Sequence, residues 1–329
     1  MRKTLMFNCF RHPCLLFLAG LMLFSQCAFA QWNATIGAQS ADLGRQGLAF
    51  LPNEMWIHSG DSVTWTMATD EPHTLTFLTA GQIRLPFFVG CPGFSASPAT
   101  FDGSTCISAP PLGNGQTFNV TFPTAGNFKL VCLFHENMTA TVHVLDSSQM
   151  LPHNQAFYDG QARAERMALI ADRDDMESND MESMDHGSAS VIVGGGEVIA
   201  TAGGSDTLSV MRFKHAEITI HAGETVEWTN IDPITPHTIT FGTEPGNPIP
   251  PSSNVSADAD GALHATLTST SDSAHSGLIQ AAPQDRIGLP QSALGATRFR
   301  VTFTKPGSYP YICALHDVLG MKERVRVLP

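Results

Sequence analysis

The sequence predicts an all-β protein made of two tandem β-sandwich modules that are joined by a partly helical, acidic linker. The first observation is an internal repeat, because segment 57–77 matches segment 220–241 at eleven positions that lie 163 or 164 residues apart. The second is a set of short alternating runs, such as 62–67, 117–122 and 298–303, which are rich in Val, Thr, Phe and Trp. The third is that Gly, Pro, Asn and Asp bound these runs, as the turns of a sandwich require.

The first thirty residues have the pattern of a secretory signal peptide. Three basic residues precede the apolar run LLFLAGLMLF, and the small residues Ala28 and Ala30 fit a cleavage site. Lipidation at Cys27 is an alternative, but Gln26 is a poor residue immediately before a lipidated cysteine. No later run of eighteen apolar residues occurs, so the sequence predicts an exported chain, periplasmic or secreted, with no membrane span after signal removal.

Charge and composition limit the partners and the compartment. Removal of the signal takes away three positive and no negative charges, which moves the formal net charge from -12 to about -15. This acidic balance argues against nucleic acid as a partner. A length of 329 residues with 43% hydrophobic content is enough for two buried cores. The mature chain would keep four cysteines, Cys91, Cys106, Cys132 and Cys313.

The domain boundaries follow from the repeat and from the change of composition between its copies. Helix formers predict a short helix near 154–171, and the acidic, Ser-rich remainder predicts a solvated tether. Methionines and His186 in this tether could hold copper loosely, although an uncommitted linker is the simpler interpretation. The predicted ranges are a signal peptide at 1–30, a first module at 31–147, a linker at 148–188 and a second module at 189–329.

Two long segments, 90–115 and 242–296, are rich in Pro, Ser, Ala and Gly and are predicted to be loops. Cys91 and Cys106 enclose fourteen residues of the first loop and have no counterpart in the second module. In an exported protein, a disulfide that clamps this loop is the economical interpretation, and its closure contributes about 3 kcal/mol in the chain-entropy model. A redox-active pair is disfavoured because the spacing is not Cys-x-x-Cys.

Each module carries a grouping of residues that suits a copper ion. The stretches CLFHENM (132–138) and CALHDVLGM (313–321) each hold a thiol, an imidazole and a thioether, and each copy has an upstream Pro-His-Thr. One thiolate, two imidazoles and a weak axial thioether are the ligands of a blue-copper electron-transfer site. Zinc is the main rival, but structural zinc favours four Cys or His ligands, and neither module has a spare one nearby. The predicted ligands are His73, Cys132, His135 and Met138 in the first module and His237, Cys313, His316 and Met321 in the second.

The order Pro-His, Cys-x-x-His and Met inside a β-rich module resembles the cupredoxin family, the type 1 copper proteins that include plastocyanin, pseudoazurin and amicyanin. The spacing from His316 to Met321 resembles that of plastocyanin and pseudoazurin, and the spacing from His135 to Met138 resembles that of amicyanin. The resemblance covers most of both modules but neither the linker nor the long loops. It implies Greek-key sandwiches with imidazole, thiolate and axial thioether ligands at one end. The family normally has one module per chain, so the tandem form leaves the partner protein open.

Three functions follow from this interpretation. The first is an electron carrier with two coppers per chain, cycling between Cu2+ and Cu+ and serving unidentified redox partner proteins. The second is periplasmic copper storage, delivery or resistance, for which the tether is the only sign. The third, an oxidase or nitrite reductase, is disfavoured because those enzymes add His-x-His pairs and a His-Cys-His run, and neither pattern occurs in the sequence. The unequal ligand-loop lengths further predict unequal redox potentials.

Two other repeated pairs are interpreted as structural. His58 and His221 precede a turn at the end of a strand, where repetition reflects ancestry and packing rather than metal ligation. Trp65 and Trp228 are most simply core anchors.

Overall fold

The computed structural model describes residues 29–84, 91, 93–170, 189–214, 217–281 and 295–329. Nearly all of the predicted signal peptide and the acidic tether at 171–188 lie outside these described residues. In the part of the chain that the structure describes, no helix has both the length and the apolar character needed to cross a membrane.

The chain forms twenty-three strands and one α-helix within the described residues. The first module contains β1 (Gln31–Gln39), β2 (Arg45–Leu51), β3 (Glu54–His58), β4 (Ser62–Met67), β5 (Thr76–Phe77), β6 (Ala99–Thr100), β7 (Ile107–Ser108), β8 (Thr117–Thr121), β9 (Gly126–Val131) and β10 (Thr139–Leu145). Helix α1 (Gln155–Ile170) follows. The second module contains β11 (Ser190–Val193), β12 (Gly196–Ala200), β13 (Ser205–Val210), β14 (Phe213–Lys214), β15 (Glu217–His221), β16 (Thr225–Asn230), β17 (Thr240–Phe241), β18 (Ser256–Ala257), β19 (Leu263–Leu267), β20 (Ala274–His275), β21 (Arg298–Phe303), β22 (Gly307–Ile312) and β23 (Lys322–Leu328).

The two modules repeat one pattern of strand pairing. In one layer of the first module, β1 is parallel to β4 and β4 is antiparallel to β8. The second module pairs β11, β16 and β21 in the same way. In the other layer of the first module, β10 pairs with β3 and β9, and β9 also pairs with β5. The second module repeats this layer, because β23 pairs with β15 and β22, and β22 also pairs with β17. The predicted all-β architecture of two tandem sandwiches is therefore confirmed.

Each core lies between the two layers around a buried tryptophan. Strict alternation places every second side chain of β4 and β16 inside, so that Trp65 and Trp228 are 1% and 0% exposed. The ring of Trp65 meets Phe77 edge-on at 5.7 Å, and that of Trp228 meets Phe241 edge-on at 5.6 Å. The prediction that these tryptophans anchor the cores is confirmed.

A hairpin of the second module extends the sheet of the first, which the sequence did not predict. Strand β13 is antiparallel to β2, with Thr207 opposite Leu48, and it also meets β10. Strand β12 completes the hairpin and pairs with β13. Gly203 in the turn allows this close approach, since a Cβ atom there would lie 2.0 Å from the carbonyl oxygen of Asn53. Continuous backbone pairing therefore joins the two modules.

Helix α1 packs on the first module. The Tyr158 hydroxyl donates a hydrogen bond to the Trp56 carbonyl at 3.0 Å and accepts one from the Trp56 N–H at 2.8 Å. Near the other end of the helix, Leu169 is buried in a cluster with Leu51 and Leu208. The helix predicted over 154–171 is present, but these contacts make its residues part of the packed structure rather than of a free linker.

The two predicted loops contain short strands. Strands β6 and β7 lie in the first, and β18, β19 and β20 lie in the second, where β19 runs parallel to β21. The expectation of loops was wrong at these positions. Strands β6, β7, β18 and β20 have two residues each, too few to show alternation, and the alternating β19 lies inside a segment rich in Ser, Asp and Gly. In the first loop, Cys91 and Cys106 form a disulfide with Cα atoms 5.5 Å apart.

Asp206 makes a pH-dependent contribution to the junction between β13 and the first module. It is 4% exposed and accepts a hydrogen bond from the Asn53 side chain at 2.9 Å. Burial, with a smaller effect from the Glu165 carboxylate, raises the pKa of Asp206 from 3.8 to about 8. Because this pKa is higher in the folded state, the unfolded chain loses its proton first, and stability falls as the pH rises from about 4 to about 8.

We therefore expect Asp206→Asn to stabilise the protein at pH 8 by roughly 1–3 kcal/mol, and by less at pH 5. Urea unfolding of the wild type and the variant at both pH values measures this difference. The exposed control Asp146→Asn should leave the pH dependence unchanged. A gain of equal size at pH 5 and pH 8 would contradict the assignment.

Candidate metal centres

In the first module, three buried side chains direct their ligand atoms to one point. The Nδ1 atoms of His73 and His135 are 2.9 Å apart, and the Cys132 Sγ lies 3.8 Å from the first and 3.6 Å from the second. Cys132 directly follows β9, and His135 lies in the loop that leads to β10. His73 comes from a distant part of the chain, where its backbone pairs with that of Leu112. The fold thus brings together the three strong ligands predicted for this module.

The second module repeats this arrangement. The Nδ1 atoms of His237 and His316 are 3.1 Å apart, and the Cys313 Sγ lies 3.8 Å and 3.3 Å from them. Cys313 follows β22, and His237 pairs through its backbone with Ile279. All three side chains are buried. The internal repeat is therefore a repeat of the site as well as of the fold.

The spacing and chemistry of both groups fit one metal ion each. Two atoms bound to the same ion at about 2.0–2.3 Å lie about 3–4 Å apart, and every distance given above falls near this range. A thiolate with two imidazoles is a soft and borderline donor set of the kind that copper and zinc prefer. The residues present therefore fit a copper ion.

A threonine after each upstream histidine supports the cysteine sulfur. The backbone N–H of Thr74 donates to the Cys132 Sγ at 3.4 Å, and the hydroxyl of Thr74 accepts a hydrogen bond from the Leu133 N–H at 2.7 Å. Thr238 makes the same backbone contact to the Cys313 Sγ at 3.3 Å. The repeated Pro-His-Thr was a sequence signal for this role, which was not predicted for the threonine.

The surroundings of both cysteines lower the pKa of their thiols. Burial alone raises the pKa of the Cys132 and Cys313 thiols, but the hydrogen bonds and charges of the two neighbouring histidines outweigh it and lower each pKa well below 9.0. The thiolate is the form of cysteine that ligates metal ions. The surroundings of both thiols therefore favour the form of cysteine that binds metal.

The two predicted axial methionines are fully buried beside the cysteines. The Cys132 N–H donates to the Met138 carbonyl at 3.0 Å, and the Cys313 N–H donates to the Met321 carbonyl at 3.0 Å. The longer ligand loop of the second module contains a 3₁₀ turn at Asp317–Leu319, which ends at the left-handed Gly320 with a φ of 92°. The axial role of both methionines stays a prediction.

The upstream histidines differ in their electrostatic surroundings. The Nε2 of His237 lies 3.6 Å from the Oδ2 of Asp232, and both side chains are fully buried. Burial lowers the pKa of His237, but the Asp232 carboxylate and the Cys313 thiolate raise it to about 9. In the first module, by contrast, burial lowers the pKa of His73. The two centres are therefore not electrostatically equivalent.

Glu71, which was not among the predicted site residues, lies between the two centres. Its Oε1 is 3.3 Å from the Nε2 of His135, and its Oε2 is 3.6 Å from the Nε2 of His316. Burial raises the pKa of Glu71, but His316, His135 and His73 outweigh this effect and lower the pKa to about 2. The only sequence signal was a difference between the copies, since Thr235 stands before the corresponding Pro-His in the second module.

The remaining candidate residues do not join these groups. His58 places its Nε2 2.8 Å from the Gln149 carbonyl oxygen, and the His221 side chain is 65% exposed. The predicted loose copper site around His186 lies outside the described residues.

The absence of His-x-His and His-Cys-His sequence patterns does not exclude an enzyme, contrary to the prediction. Although the chain has neither a His-x-His pair nor a contiguous His-Cys-His run, each centre combines two histidines and one cysteine in space. The missing sequence patterns therefore do not decide between a carrier and a catalyst.

A family model and several solved structures of copper proteins are similar to this chain. The family model described as copper binding proteins, plastocyanin/azurin family, matches residues 38–145 and 199–328. A solved structure of a reduced amicyanin variant is 21% identical over 36% of this chain and 87% of its own, with a TM-score of 0.24. A purple cupredoxin from Nitrosopumilus maritimus is 21% identical over 35% of this chain and 99% of its own, with a TM-score of 0.24. Since the two matched regions together span well over half of its length, this chain belongs to the plastocyanin/azurin family of copper-binding proteins.

Proposed function

We propose that this protein is an exported electron carrier with two mononuclear type 1 copper sites, each cycling between Cu2+ and Cu+. The observation that carries the proposal is the repeated buried group of one thiolate and two imidazoles at the same place in both sandwiches. Membership of a copper-binding family and a disulfide, which fits an oxidising compartment, support it. The ligands would be His73, Cys132, His135 and Met138 in one site and His237, Cys313, His316 and Met321 in the other.

A bound copper ion would supply one-electron redox chemistry, and the chain would keep the surroundings of that ion fixed. Cys132 and His73 are held by backbone pairing in the sandwich, and Thr74 holds the sulfur. Because the donors are buried and already close together, little side-chain movement accompanies a change of charge. Fast electron exchange requires that the ligands move little when the ion gains or loses an electron.

Copper titration of the protein without residues 1–30, followed by visible absorption, tests the proposal. We expect an intense thiolate-to-Cu2+ band that saturates at two equivalents, one for each group. Saturation at one equivalent would remove one module from the proposal, and the absence of a band would overturn it. Further colourless uptake beyond two equivalents would instead favour the alternative of copper storage or delivery.

The partners would be redox proteins that exchange one electron at a time. The acidic balance of the chain favours partners with basic or neutral docking faces and disfavours nucleic acid. The compartment would be the periplasm or the exterior of the cell.

Asp232 is expected to lower the potential of the second site. A buried carboxylate beside a ligand imidazole stabilises the more positive oxidation state, so that Asp232→Asn should raise this potential. An electrostatic contribution of about 1.4 kcal/mol corresponds to about 60 mV for one electron. Spectroelectrochemical titration in the Cys132→Ser background isolates the second site, and the exposed Glu244→Gln serves as control. An unchanged midpoint in Asp232→Asn would contradict this role.

A further inference from the structure

We propose that Glu71 joins the two copper sites into one electron-transfer unit, in which an electron passes between them through His135, Glu71 and His316. This inference rests on the proposed function and adds a route inside the molecule. Its first support is a single carboxylate that contacts a ligand imidazole of each site, at 3.3 Å in one module and 3.6 Å in the other. The side chains of His135, Glu71 and His316, joined by these two contacts, therefore connect the ions that the two sites would hold.

Packing between the modules fixes this arrangement. The Arg212 guanidinium donates to the Leu319 carbonyl at 2.8 Å and to the Asp42 carbonyl at 2.6 Å. Leu319 belongs to the ligand loop that carries His316, and Asp42 belongs to the first module. The pairing of β13 with β2 holds the same junction from the backbone side. The loop of the second site is thus tied directly to the first module, so the Glu71 contacts do not depend on the tether.

Burial closes the route to the surrounding water. His135 is 3% exposed, His316 is 2% exposed and Glu71 is 6% exposed. The Nε2 edges of the two imidazoles face the shared carboxylate, and a partner protein cannot reach this inner face. Buried charges interact more strongly than exposed ones, so the charge on one site is also felt at the other.

The exchange balances within one molecule. One site is oxidised by one electron while the other is reduced by one electron, and no proton, external oxidant or external reductant takes part. Glu71 is a positioning residue in this step, because it holds the two ligand imidazoles in contact through one charged group.

Replacement of Glu71 tests the proposal in two ways. In fully copper-loaded protein, rapid reduction by a radiolytic pulse that delivers less than one electron per chain should give a concentration-independent phase of electron transfer between the sites. The Cys132→Ser and Cys313→Ser proteins provide the spectrum of each single site. Glu71→Ala should slow this phase by about 10–100-fold, the range in which the loss of an outer-shell partner typically lowers activity or metal affinity. Glu71→Gln keeps the size of the side chain and should have a smaller effect.

The second measurement uses the copper-free protein. Nitrogen NMR of the imidazole rings should show shifts of both His135 and His316 in Glu71→Gln. The matched control Asp70→Asn removes a neighbouring exposed carboxylate that bonds Gln39 and Asn114, and it should shift neither histidine.

The outcomes separate this proposal from the proposed function. Two blue sites without a concentration-independent phase would overturn the Glu71 route and leave the copper sites standing. The same result follows if Glu71→Ala leaves the rate unchanged, or if Glu71→Gln shifts one histidine only. Absence of blue absorption in the wild type would instead overturn the proposed function itself.

Discussion

Cys132→Ser is expected to remove the entire thiolate absorption of the first module and to leave that of the second, and Cys313→Ser should do the reverse. The band arises from charge transfer between a thiolate and Cu2+, and a serine hydroxyl cannot replace this soft ligand. Both cysteines are fully buried between two imidazoles, so no other described thiol can take their place. The double variant should be colourless.

Visible spectra of copper-loaded variants, with copper content measured in parallel, check this expectation. The control is the double variant Cys91→Ser/Cys106→Ser, which removes the disulfide and none of the predicted copper ligands. It should keep both bands and lose about 3 kcal/mol of stability, as expected for a loop of this length. An unchanged spectrum in either single ligand variant would show that its cysteine does not bind copper.

The sequence was sufficient to predict the repeated parts of the molecule. Alternation in the run 62–67 set the bounds of β4, and the duplicated Pro-His-Thr and Cys-x-x-His marked the six residues that the fold brings together. Such features are local, and each copy supports the interpretation of the other. His73 and Cys132 could be assigned to one site from the sequence alone, because the second module repeats their order in His237 and Cys313.

The parts that could not be predicted belong to the junction between the copies. Glu71, Arg212 and the β12–β13 hairpin lie where the two modules differ, so the repeat carries no information about them. Several of their contacts join residues that are more than a hundred positions apart, since Glu71 meets His316, Arg212 meets Asp42, and β13 pairs with β2. The acidic tether carries no information about this junction either, because the backbone pairing that joins β2 to β13 does not involve it.

Removal of copper is expected to destabilise the folded protein strongly without unfolding it. Each centre then keeps a buried cysteine and closely spaced imidazoles with no ion between them. A ligand that binds only the folded state stabilises it by about 4 kcal/mol when its free concentration is a thousand times its dissociation constant. The ligands rest on strands and on backbone hydrogen bonds, so the sandwiches themselves should persist in the copper-free state.

Thermal unfolding followed by circular dichroism at increasing free copper concentration measures this linkage. The midpoint should rise continuously with copper in the wild type, because the stabilisation grows with the logarithm of the free ligand concentration. Cys132→Ser should keep only the response of the second module, and the Cys132→Ser/Cys313→Ser protein should show almost none. If the thermal midpoint of the wild type did not depend on copper, the folded protein would bind the ion no more tightly than the unfolded chain does. The geometry of the two buried groups would then be a consequence of packing alone.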